Sequence, residues 1–230
     1  MSGRGAHSPL FGVLAVSSLV FAWLAIAVDG GGPVVSLDNG IAAWLHAHAT
    51  GFATDVLSMV TQLGGATVLL AITVVAALAL LLRRRVAHAA LMAAALAGGE
   101  GLNMALKAAF ERPRPGFSDP LATAAGFSFP SGHAMVSLTV YGALAFLVAT
   151  RVGSRRARVA VLGSALALVA AIGFSRIYLG VHYLSDVVAA YCAGLAWLTL
   201  CTLGLLGASW LRERLTLGRP TLLAEETPTV

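Results

Sequence analysis

Residues 66–85 read ATVLLAITVVAALALLLRRR. From Ala66 to Leu82 there is no charge, and Arg83, Arg84 and Arg85 then end the run at once. An α-helix rises about 1.5 Å per residue, so roughly 20 apolar residues cross the hydrocarbon core of a bilayer. The run is rich in Ala and Leu and does not alternate apolar with polar, which argues for helix over strand.

The rest of the chain repeats this pattern. Segments 10–28, 86–108, 133–150, 159–174 and 186–211 are also long and apolar, so the sequence predicts six membrane spans. Composition agrees: 58% of the 230 residues are hydrophobic and 11% are charged, against about 25% charged in a soluble domain. The expected fold class is all-α, a polytopic bundle of six transmembrane helices. The first run carries Ala25-Ile26-Ala27, a cleavage-like triplet. Its apolar core exceeds the roughly 7–15 residues of a signal peptide, so it reads as a retained helix. Cys192 and Cys201 lie nine apart in one apolar run and would point in nearly opposite directions, so no disulfide is expected.

The net charge of +5 is spread in short clusters between apolar runs, which argues against a nucleic-acid partner. Arg4, Arg83–Arg85, Arg151, Arg155, Arg156, Arg158, Arg212, Arg214 and Arg219 fall on one side of a six-span layout. The positive-inside rule assigns that side, with both termini, to the cytoplasm. Residues 36–63 lie on the opposite side. Leu37, Ile41, Trp44 and Leu45 recur there on a helical period between Asp38, His46 and His48, as in an interfacial amphipathic segment that Gly64-Gly65 would break from the second span. Residues 220–230 read as a disordered cytoplasmic tail.

Four basic residues remain, and all four oppose the topology rule: Lys107, Arg112, Arg114 and Arg176. Three blocks on the outer face hold them and their neighbours. The first is Lys107-Ala-Ala-Phe-Glu-Arg-Pro-Arg114-Pro115, the second Pro130-Ser131-Gly132-His133, and the third Ser175-Arg176 followed by His182 and Asp186. Lys107, Arg114 and Arg176 are fixed cations beside an acyl-chain environment, and guanidinium forks suit phosphate oxygens. Ser131 and Gly132 open the fourth span, where free N–H groups and a positive dipole end attract phosphate. Ser131 reads equally as a plain N-cap. Arg112 is either a spare phosphate contact or a headgroup anchor, and the anchor is favoured. Tyr178 and Tyr183 read as interfacial aromatics.

His182 and Asp186 stand at i and i+4, which on a helix places them in contact. A carboxylate on one imidazole nitrogen fixes the tautomer and leaves the other free to attack phosphorus. His133 is then the candidate general acid for the leaving oxygen. With three cations to meet the developing charge, neither a metal nor another cofactor is expected, and the outer carboxylates Glu111, Asp119 and Asp186 are scattered. Glu100 and Asn103 share a helix face with Lys107. They are expected in the lower wall of the cavity, while a packing role for Glu100 beside Gly98, Gly99 and Gly101 stays open.

These blocks resemble the signature of the type 2 phosphatidic acid phosphatase (PAP2) superfamily: K-x6-R-P, then P-S-G-H, then S-R-x5-H-x3-D. The resemblance implies a PAP2-like domain over residues 1–219 acting as a hydrolase on phosphoric ester or diphosphate bonds of lipids. It implies phosphate-binding roles for Lys107, Arg114, Ser131, Gly132 and Arg176, a phosphohistidine on His182, a general acid in His133 and an orienting carboxylate in Asp186. The same signature occurs in soluble vanadium haloperoxidases, a reading that six spans oppose. The expected partner is a lipid phosphate, with the surrounding membrane lipids. Undecaprenyl diphosphate or another polyprenyl diphosphate is favoured, ahead of phosphatidic acid and phosphatidylglycerol phosphate, although no residue chooses among them. A phosphotransferase and a non-enzymatic lipid-phosphate binder or transporter are the competing readings. The expected location is a bacterial plasma membrane with the site facing outward. Oligomeric state is not readable from the chain.

Overall fold

The computed structural model describes residues 8–217, with side chains to residue 208. The predicted tail 220–230 lies outside the described residues. Among those described, the ordered elements are helical and no strand occurs. They are α1 (Ser8–Asp29), α2 (Pro33–Ala47), α3 (Gly51–Gln62), α4 (Ala66–Leu82), α5 (Val86–Ala93), a π-helical turn (Ala94–Gly98), α6 (Gly99–Phe110), α7 (Gly132–Ala149), α8 (Arg155–Tyr178) and α9 (Leu184–Leu217).

Among the described residues, six stretches are long and apolar enough to cross a membrane: Ser8–Asp29, Gly51–Leu82, Val86–Phe110, Gly132–Ala149, Arg155–Tyr178 and Leu184–Ala208. The predicted six-span bundle is therefore the fold. One boundary moves. The segment read as one amphipathic piece, 36–63, divides into α2 and α3, and α3 runs on toward α4 through the turn at Leu63–Gly65. Thr50 starts α3 by accepting a hydrogen bond from the Ala53 N–H at 3.3 Å. The predicted break at Gly64-Gly65 is present.

α7 is the central helix. Its Val136, Val140, Ala143 and Leu147 are buried with Leu69, Leu91, Met92, Val169 and Ile172 from the surrounding spans. α1 packs along α9. Large apolar side chains elsewhere face outward, Leu82 at 86% exposure and Ile26 at 74% among them. Such a surface is stable only against lipid.

The third span is not a uniform helix. Its π turn, five residues long, frees backbone carbonyls that side chains then claim. Trp197 Nε1 donates to Ala94 O at 2.9 Å, and Thr139 Oγ1 donates to Ala95 O at 2.8 Å. Gly98 and Gly99 allow this close approach. A Cβ on Gly98 would run into the Trp197 ring, and one on Gly99 would lie 2.8 Å from Thr139 Oγ1. The small residues carry the packing here, and Glu100 points away from it, exposed.

Candidate active site

Four helix ends and one loop converge at one end of the bundle. α6 leaves Lys107 in its last turn and ends at Glu111, which adopts the left-handed conformation at φ 45° and turns the chain into residues 112–130. That loop returns to Ser131, at the head of α7. α8 brings Arg176 in its last turn, and α9 brings Asp186 in its first. Lys107, Arg114, Gly132, His133, Arg176 and His182 line one cavity of about 570 Å³, and Glu100 and Asn103 line it as well.

His182 does not lie on a helix, contrary to the i, i+4 expectation. α8 stops at Tyr178, Gly180 takes φ 68°, and α9 begins only at Leu184. The N–H groups of Val181 and His182 both donate to Arg176 O at 3.2 Å, which folds the turn back on α8. Contact with Asp186 survives by another route. Asp186 Oδ2 accepts from the Tyr183 N–H at 2.9 Å, as the third residue of a helix does in a capping box. The same oxygen lies 3.4 Å from His182 Nδ1 and accepts a hydrogen bond from Ser128 Oγ.

On its other side, His182 Nε2 lies 3.0 Å from Arg114 Nη1. An arginine only donates, so Nε2 holds a lone pair and Nδ1 carries the hydrogen. That is the tautomer a nucleophilic Nε2 requires. His182 is buried, and burial pushes its imidazole down to about 4, against the opposing pull of Asp186; the Arg114 guanidinium lowers it further. Burial also lowers Arg114, and Asp186 opposes that shift.

The cations are placed but not equally satisfied. Arg114 reaches Gly126 O, Val181 O, Ala125 O and Phe127 O within 3.0 Å. Lys107 Nζ donates to Phe127 O. Arg176 Nη1 donates to Thr61 Oγ1 at 2.9 Å, while its Nε is buried without a partner. Ser131 Oγ is likewise buried and unpartnered, so Ser131 sits at the N-cap without its side chain capping α7. Unmet buried donors are rare and costly. Arg176 lines the cationic cavity and Ser131 directly precedes Gly132, which also lines it, so both unmet donors suit an oxyanion bound there. Asn103 Nδ2 fixes the loop by donating to Pro130 O at 3.2 Å.

Arg112 is not a headgroup anchor. It is 8% exposed, with Nη1 at 2.6 Å from Asp186 Oδ1 and Nη2 at 2.9 Å from Asp38 Oδ2, and its guanidinium covers the Tyr183 ring at 4.2 Å. Tyr178 is buried too, accepting from the Thr50 N–H at 3.0 Å. Sequence reasoning missed Ser128, Thr61, Asp38 and Ser185. Ser128, two residues before the Pro130-Ser131-Gly132-His133 block, had position as its only signal. Among the described residues, no three His, Cys, Asp or Glu side chains gather as a metal cluster.

Residues 88–209 match the PAP2 superfamily. The chain is 30% identical over 183 residues to phosphatidylglycerophosphatase B of Bacillus subtilis (strain 168), covering 78% of this chain and 89% of that protein. Its structure is similar to that of a transmembrane PAP2-type phosphatidylglycerolphosphate phosphatase from Bacillus subtilis, with a TM-score of 0.76 at 28% identity over 90% of this chain and 98% of that one. Aquifex aeolicus LpxE shares the fold, with a TM-score of 0.56 at 21% identity over 74% of this chain and 95% of that one.

Proposed function

We propose, from the premise that the chain belongs to the PAP2 superfamily, that it is a bacterial plasma-membrane phosphatase that cleaves phosphate from a lipid at the outer face, with cytoplasmic termini. One observation carries the reading. The cavity is cationic at Lys107, Arg114 and Arg176 and apolar at Leu69, Leu70, Leu96 and Met104. A phosphate joined to a lipid tail matches both ends.

His182 Nε2 attacks phosphorus in line, forming the N–P bond as the bond to the leaving oxygen breaks. Asp186 holds Nδ1–H and stabilises the charge that develops on the ring. His133 gives its proton to the leaving oxygen, then takes one from the water that opens the phosphohistidine. Lys107, Arg114, Arg176 and the Ser131 hydroxyl meet the equatorial oxygens, so no step draws on a metal.

Phosphatidylglycerol phosphate is the first candidate substrate, supported by the named activity of the Bacillus subtilis relative. A polyprenyl diphosphate such as undecaprenyl diphosphate is the second. Three cations in one cavity suit the higher charge of a diphosphate.

Purified protein in detergent, offered phosphatidylglycerol phosphate, phosphatidic acid, undecaprenyl diphosphate and lipid A, should release inorganic phosphate from at least one of the first three. Chelator should not slow it, and acid-labile, alkali-stable phosphohistidine should be trapped on rapid quenching. Binding without release on every lipid identifies a binder or transporter, and phosphate passed to an added acceptor identifies a phosphotransferase. Full activity in His182→Ala removes the nucleophile assignment.

A further inference from the structure

Asp38 is 2% exposed on α2, remote in sequence from every signature block. We infer that Asp38 is a positioning residue for the reaction, acting through Arg112 to hold the Asp186 carboxylate in register with His182. The inference rests on His182 as nucleophile and Asp186 as its orienting partner.

The two oxygens of Asp186 have different partners. Oδ2 faces Tyr183 N, Ser128 Oγ and His182 Nδ1. Oδ1 is held by Arg112 Nη1 at 2.6 Å. The hold on Oδ1 adds to these contacts in keeping Oδ2 turned to the imidazole. Arg112 in turn is aimed from its far side, because Nη2 meets Asp38 Oδ2 at 2.9 Å. Ser185 closes the assembly. Its N–H donates to Asp38 Oδ1 at 2.9 Å, its hydroxyl donates to Asp38 Oδ2, and that hydroxyl accepts from Arg112 Nη1 at 2.8 Å. Every donor and acceptor named here acts in a consistent direction.

Charge makes the arrangement demanding. Arg112 is the guanidinium shared by two buried carboxylates, and a buried ion that loses its partner is strongly unfavourable. Asp38→Asn keeps the volume but turns either a neutral oxygen or an amide N–H toward Arg112. The guanidinium then has weaker reason to keep its fork between the two side chains, and Asp186 Oδ1 loses its fixed donor. The bonds lost are those that orient the catalytic carboxylate, while the phosphate cradle of Lys107, Arg114 and Arg176 is untouched. The cost should therefore fall on kcat.

The experiment uses full-length protein in detergent with phosphatidylglycerol phosphate, comparing wild type, His182→Ala, Asp38→Asn and Arg112→Lys, each checked for folding by thermal unfolding. Folded Asp38→Asn should lose about tenfold in kcat with KM within about twofold of wild type, and Arg112→Lys should lose at least as much, because an ammonium cannot fork between two carboxylates. A merely structural brace would lower the melting temperature and leave kcat per folded molecule alone, and that result overturns the inference. So does failure of both variants to fold, which would make the assembly a fold determinant. An active His182→Ala instead overturns the underlying mechanism, and an inactive His182→Ala beside a fully active Asp38→Asn overturns only the present inference.

Discussion

Arg114 Nη1 donates a hydrogen bond of 3.0 Å to His182 Nε2, the atom proposed to attack phosphorus. The contact reports the tautomer, and it must be surrendered when phosphorus takes that lone pair. On the proposed mechanism Arg114 serves the nucleophile before the reaction and the phosphate during it. Arg114→Lys keeps the charge but not the planar set of donors. We expect kcat/KM for lipid phosphate to drop by roughly 10²–10³, measured by phosphate release under first-order conditions. A drop below about fivefold would show that charge alone suffices there.

The imidazole of His182 stays neutral well into acid. Burial lowers it from 6.5 to about 4, so on falling pH its proton arrives near 4. Because the folded value lies below the ordinary one, the stability this group contributes is whole above pH 6.5 and is lost as pH falls toward 4. A ¹⁵N-histidine titration of the solubilised protein, assigned by the signal lost in His182→Asn, should place its midpoint near 4. A midpoint near 6.5 would contradict the buried geometry.

Ser131 is expected to separate function from stability. Its hydroxyl is buried with no partner, a state that costs about 1–3 kcal/mol. Ser131→Ala should unfold no earlier than wild type, and up to about 1 kcal/mol later, while kcat/KM drops about tenfold. Loss of stability without loss of activity would make Ser131 an ordinary structural residue.

Gly98 tests the third span. A methyl group there meets the Trp197 ring whose Nε1 holds Ala94 O. Overpacking of this kind costs about 1–3 kcal/mol. Thermal unfolding of Gly98→Ala in detergent should show that loss, and Gly101→Ala, with open space around it, should not.

The spans and the three site blocks were legible because each is written locally: apolar length for the helices, unusual residue types at fixed spacing for the site. Lys107, Arg114, His133, Arg176 and His182 line one cavity as expected, and Asp186 reaches His182 from behind. The spacing of His182 and Asp186 suggested a helix face, yet Gly180 breaks α8 and the contact forms across a cap. Charge position alone suggested an interfacial Arg112, but its partners Asp38 and Ser185 lie 74 and 73 residues away and only the folded chain supplies them. The π turn was equally hidden, since its carbonyls are claimed by Thr139 and Trp197 from two other helices.

The wall of the cavity runs from His182 out to Leu70 and Met104, which are 54% and 63% exposed on the flank of the bundle. On the proposed function, a molecule held in the leaflet by its tail would reach His182 by sliding sideways, without crossing water. For such an enzyme the quantity that governs saturation is the mole fraction of substrate in the surface, a two-dimensional density. Diluting the lipid phosphate with inert lipid at fixed bulk concentration then slows turnover as surely as removing it.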